Sequence, residues 1–134
     1  MRGASHITGL VLGLSLAAQA AAAQSVDAAW QSTPASVLKT TLRNVVAAQD
    51  KYREAHATFA GSVQALRLKP GSGVTVHILT ATASGWRAEA THRARPGRSC
   101  VVFVGRLAAK EAPRTEADGD MAGEERVPLC DRME

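Results

Sequence analysis

The chain has 134 residues, 21% of them charged and 4% aromatic, with a formal net charge of +4. That length holds one domain, and so mild a basic excess excludes a nucleic-acid surface argued from charge. Its two cysteines, Cys100 and Cys130, fit no zinc-ligand spacing.

The first segment reads as an export signal. Arg2 precedes an uncharged run of small and apolar residues, 7–23, and both "AQA" (residues 18–20) and "AAA" (residues 21–23) carry the small-x-small pattern of a signal-peptidase site. A membrane span wants about 20 apolar residues, and Gly9, Gly13 and Gln19 weaken this one. The expectation is a cleaved signal over residues 1–23, a frayed lead-in over 24–33 and a domain over 34–134, exported to the periplasm or beyond. Membrane contact is expected only if the first segment is retained. Two cysteines in an oxidising compartment point to one disulfide, which stabilises by roughly 3–4 kcal/mol for a loop of this size.

Thr33 and Pro34 are an N-cap and first-turn pair, opening a helix over residues 34–57. Leu38, Leu42, Val45, Gln49, Tyr52 and His56 recur at helical spacing and define its buried stripe. Residues 63–68 suggest a short helical turn, closed by Pro70, Gly71 and Gly73. Val74, Val76, Ile78, Thr80 and Thr82 then alternate along a strand, 83–85 turns, and Trp86, Ala88, Ala90 and His92 return. Pairing Thr82 with Trp86 sets Val76 opposite His92, and the small alanines leave room for a helix across the sheet. "SCVVFVGRL" is continuously apolar, as a more central strand would be. Residues 108–125 read as a charged loop, and "RVPLCD" as a short edge strand that tolerates Pro128. The expected core contains Leu42, Val45, Tyr52, Val74, Val76, Ile78, Trp86 and Val102.

In this order, "LRNVVAAQDKY" (42–52), "ATF" and "VQAL" (57–66), "GVTVHI" (73–78), "GWRAEATH" (85–92), Cys100 and the closing Cys130-Asp131 resemble the globular part of a bacterial type IV pilin or pseudopilin. The resemblance implies an α+β fold: one long N-terminal helix packed on an antiparallel sheet of three or four strands, with a disulfide bracketing a loop near the C-terminus. It implies a non-catalytic role in protein–protein contact at the cell envelope, accessory to a type IV pilus or a type II secretion-like apparatus. The expected partners are envelope proteins or pilin-like subunits. The prepilin leader is absent: Thr8, Leu14 and Ala18 stand where a glutamate would follow the glycines at 3, 9 and 13. An uncleaved, membrane-anchored minor pilin is the alternative that keeps the first segment.

No nucleophile elbow, His-x-x-x-His pair or phosphate loop is present, so no enzyme is expected. His77 and His92 fall on opposite faces of the strand pattern and do not converge. Arg87, Arg93, Arg95, Arg98 and Arg106 cluster around Glu89, whereas residues 111–134 are acid-rich; the pair reads as two surfaces attracting each other within one fold. Asp118, Asp120, Glu124 and Glu125 are hard oxygen donors that would suit calcium in a periplasmic ion-binding module, although Ala122 and Leu129 break an EF-hand register. The better expectation is a solvated acidic loop with no cofactor. The stripe of Leu38, Leu42 and Val45 is a candidate docking surface if it extends past the sheet.

Overall fold

A computed structural model describes residues 32–133. The expected signal over 1–23 and most of the lead-in lie outside them. Residues 32–133 belong to one compact unit.

The helix α1, Pro34–His56, starts as its sequence dictates. The Thr33 hydroxyl accepts from the Ser36 N–H at 3.2 Å, and Pro34 occupies the first turn, where its missing N–H leaves no bond unmade. Ala57 ends it in the left-handed region at φ 60°, donating its N–H to the Arg53 carbonyl. Residues 63–67 form hydrogen-bonded turns where a short helical turn was expected.

Four strands follow: β1 (Val74–Ala81), β2 (Gly85–His92), β3 (Ser99–Gly105) and β4 (Leu129–Cys130). They make one antiparallel sheet in chain order, β1-β2-β3-β4. A 3-10 turn, Ala109–Glu111, lies between β3 and β4. Among the described residues no helix is long and apolar enough to cross a membrane.

The core is the seam between α1 and the two central strands. Leu38, Leu42, Val45 and Gln49 from α1, Trp86, Ala88 and Ala90 from β2, and Cys100 and Val102 from β3 are all fully buried. Ala88 and Ala90 keep the helix close to the backbone of β2, as their size requires. Three expected core residues, Val74, Val76 and Ile78, are only partly buried, because β1 is an edge strand with a partner on one side. Tyr52 is half-buried and His56 exposed, so the stripe ends at Gln49; their rings stack on each other at 4.0 Å on the helix surface.

The hairpin register differs from the expected one by one residue beside the turn and by two beyond the bulge. Ala81 pairs with Trp86, Val76 with Ala90, and Val74 with His92. The ladder is irregular between Ile78 and Thr80, where β1 carries Leu79 as an extra residue. A bulge reverses side-chain parity beyond it. Ala81 therefore packs on the core, while Thr80 turns away and accepts from Arg87 Nε at 3.1 Å. Thr82 leaves the strand and closes the turn: its hydroxyl oxygen accepts from the Ser84 and Gly85 N–H groups. Gly105, at φ 85°, sits against this turn, where a Cβ would lie 2.1 Å from the Ser84 carbonyl oxygen.

Candidate functional site

Cys100 and Cys130 face each other across β3 and β4 and form the expected disulfide, 30 residues apart. The chain between them folds back beside β3. The Glu116 N–H donates to the Ser99 hydroxyl at 2.9 Å, and Pro113, Thr115 and Ala122 are buried in the process. By strand alternation Ser99 and Val101 face away from α1, and Val101 is fully buried, so this segment covers the second face of β3.

Asp131, directly after Cys130 and only 3% exposed, ties that segment to β3. Its Oδ2 accepts from the Ser99 N–H at 2.8 Å and the Ala117 N–H at 3.0 Å, and its Oδ1 from the Asp118 N–H at 2.7 Å. Burial works against its ionisation, but the N–H donors of Ala117, Asp118 and Ser99 and the Thr115 hydroxyl outweigh it and pull the pKa down to about 2. The carboxylate is an anion at neutral pH and holds three stretches of chain together. Sequence reasoning missed it, since an acid next to a cysteine reads as a solvated one.

The four candidate calcium ligands are not assembled. Among the described residues no group of three His, Cys, Asp or Glu side chains is placed to hold a metal ion. Asp118 Oδ2 accepts from the Arg132 N–H at 2.9 Å and lies 3.8 Å from its guanidinium. Glu125 Oε1 accepts from the Gly105 N–H at 2.6 Å, and Asp120 and Glu124 are exposed. Backbone donors and an arginine hold two of the four carboxylates, Asp118 and Glu125.

The docking stripe is likewise corrected. Leu38, Leu42 and Val45 are fully buried in the α1 seam and offer nothing to a partner. The arginine cluster also takes a different role from the one expected. Arg95 Nε donates to the Met133 carbonyl at 3.0 Å and Arg98 Nη1 to the Arg132 carbonyl, so the β2–β3 turn grips the C-terminal backbone through its carbonyl groups.

Two of the surface hollows among the described residues are large enough to consider. One, of about 500 Å³, runs between the second half of α1 and residues 65–68, lined by Lys51, Tyr52, His56, Leu66, Arg67 and Leu68 among others. The other, of about 610 Å³, lies where α1, Phe59 and the end of β3 meet. In it Asp50 pairs with Arg126 at 2.5 Å, and the Arg53 guanidinium lies 5.0 Å from the centre of the Phe59 ring. His77 stands opposite Glu89 in the ladder, and His92 opposite Val74 on the other face of the sheet.

No family model matches the sequence, and no curated protein matches it.

Proposed function

We propose that this chain is an exported, non-catalytic, pilin-like domain that works through protein–protein contact at the cell envelope, as an accessory to a type IV pilus or a type II secretion-like apparatus. The observation that carries this reading is the element order: one helix of 23 residues, then an antiparallel β1-β2-β3-β4 sheet, then a disulfide from β3 to the short C-terminal strand. It is the order that the resemblance in "LRNVVAAQDKY", "GVTVHI" and "GWRAEATH" implies. The disulfide is compatible with an oxidising, exported location.

With Leu38, Leu42 and Val45 buried, the contact surface of such an accessory lies outside the α1 seam. In-cell cross-linking from exposed positions on α1, such as Lys51, is expected to trap an envelope component, and N-terminal sequencing of the mature chain is expected to start near Ala21 or Gln24. A chain that retains Met1 and cross-links to nothing in the envelope overturns the proposal.

A further inference from the structure

The two edges of the sheet are finished differently. β4 has two residues, follows the buried Pro128 and is stapled by the disulfide. β1 has eight residues, Val74–Ala81, without proline, acid, lysine or arginine. Long, uncharged edges are the ones that pair with other chains, and proteins ordinarily guard them.

Hydrogen-bond parity identifies the open groups. The Arg93 N–H donates to the Gly73 carbonyl at 2.9 Å, which makes Gly73 and Arg93 a hydrogen-bonded pair. Bonded and non-bonded pairs alternate in an antiparallel ladder. Thr75 and His77 therefore turn their backbone groups toward β2, and Val74, Val76 and Ile78 turn theirs outward. Among the described residues the outward Val74 N–H is taken by the Gly71 carbonyl, whereas the N–H and C=O groups of Val76 and Ile78 meet no backbone partner on that side.

We propose that β1 pairs with β1 of a second copy of this chain, antiparallel across a two-fold axis at Val76, joining the two four-stranded sheets edge to edge. Self-complementarity of its side chains selects a second copy over a foreign strand. In this register Val76 faces its own counterpart and Val74 faces Ile78, so the β-branched residues left half-buried by the edge position cover one another. On the other face Thr75 meets His77, and no carboxylate, lysine or arginine of β1 is opposed to another. A charged strand would find no counter-charge on β1. The register uses only the regular ladder before the Leu79 bulge. The proposal is independent of the pilin-like reading.

Light scattering and hydrogen exchange on the purified chain, over a concentration series, test it. The expected result is a concentration-dependent dimer in which the Val76 and Ile78 amides gain protection. Val76→Pro deletes an N–H that the β1–β2 ladder does not use, and with it two inter-chain bonds; dimerisation is expected to weaken roughly 30-fold. Thr75→Cys combined with His77→Cys changes exposed side chains only and is expected to cross-link copies under mild oxidation, with Thr75→Cys alone failing to do so. A monomer at every concentration overturns the pairing, as does a dimer that Val76→Pro leaves intact while the double-cysteine chain stays uncross-linked. Amides protected only when an envelope extract is added would assign the edge to another protein's strand, and equally overturn it.

Discussion

The two faces of β3 are held by different physics. Toward α1 it presents Cys100, Val102 and Val104 to a seam of apolar side chains. Away from α1 it is covered by a segment rich in acids and glycine, with Pro113, Thr115 and Ala122 as the residues it buries. The first face is held by area removed from water. The second has little area to bury, and relies on Asp131, the Ser99 hydroxyl and a disulfide that fixes the ends of the covering segment from the α1 side. A loop with few apolar side chains can cover a strand when buried donors and acceptors are paired and the unfolded chain is constrained by a cross-link.

The sharpest way to break that comparison is at Trp86. It is fully buried, and truncation to alanine should lower unfolding free energy by about 3–5 kcal/mol at every pH, measured by chemical denaturation. Its indole N–H has no hydrogen-bond partner among the described residues. Trp86→Phe should therefore cost much less than Trp86→Ala, because only volume is lost. Equal losses would mean that the N–H matters more than the packing.

Removing the staple tests the other face. Replacing Cys100 and Cys130 by alanine, or reducing them, should cost about 3–4 kcal/mol on the chain-entropy argument for a separation of 30 residues. Hydrogen exchange should then accelerate first at Glu116, Ala117 and Asp118, and last in β2. Uniform acceleration would show that the two faces unfold as one unit.

The parts of the fold legible in the sequence were those with a local signature. Thr33-Pro34 marked a helix start, the apolar run of "SCVVFV" a central strand, and two cysteines behind an expected export signal a disulfide. The Leu79 bulge was not legible: Ile78 and Leu79 are both apolar, and alternation alone runs on through Thr80 and Thr82. Nor was the fate of the helix stripe, since periodicity names the apolar face of α1 without saying how far the sheet covers it. The acidic loop is solvated as expected, but the hydrogen bonds of Asp118 and Glu125 and the burial of Asp131 were not legible, for a related reason. Carboxylates that accept from backbone N–H groups leave no pattern, because every residue carries the donor. Gln49 shows the same blind spot: it sits on the predicted stripe, but its amide bonds both the N–H and the C=O of Ala60, at 2.7 and 2.8 Å.

Asp131 offers a test of intermediate size, separable by pH. Its pKa is depressed from 3.8 to about 2 in the folded chain. A depressed carboxyl contributes stability that is complete above its unfolded value and is lost as pH falls through the folded one. About 2 kcal/mol should therefore disappear between roughly pH 4 and pH 2. Asp131→Asn should lose this contribution at neutral pH and flatten the acid limb of the stability profile. A variant as acid-sensitive as the parent would move the effect to another carboxylate.

The smallest expected effect sits where the two regions meet, at Arg126. Its guanidinium bonds Asp50 on α1, the hydrogen bond and charge of Asp50 raising its pKa. Both side chains are close to half exposed, so the pair is screened and stabilises by at most about 1 kcal/mol. Arg126 also holds φ at 71°, a conformation that costs a non-glycine residue roughly 1 kcal/mol. Arg126→Gly removes the pair and the strain together, and preserves the N–H bonded to the Phe103 carbonyl. Its stability should stay within about 0.5 kcal/mol of the parent, whereas Arg126→Ala, which loses the pair and keeps the strain, should fall below both. If glycine proves as costly as alanine, the ion pair ties the C-terminal segment to α1 more strongly than its exposure implies.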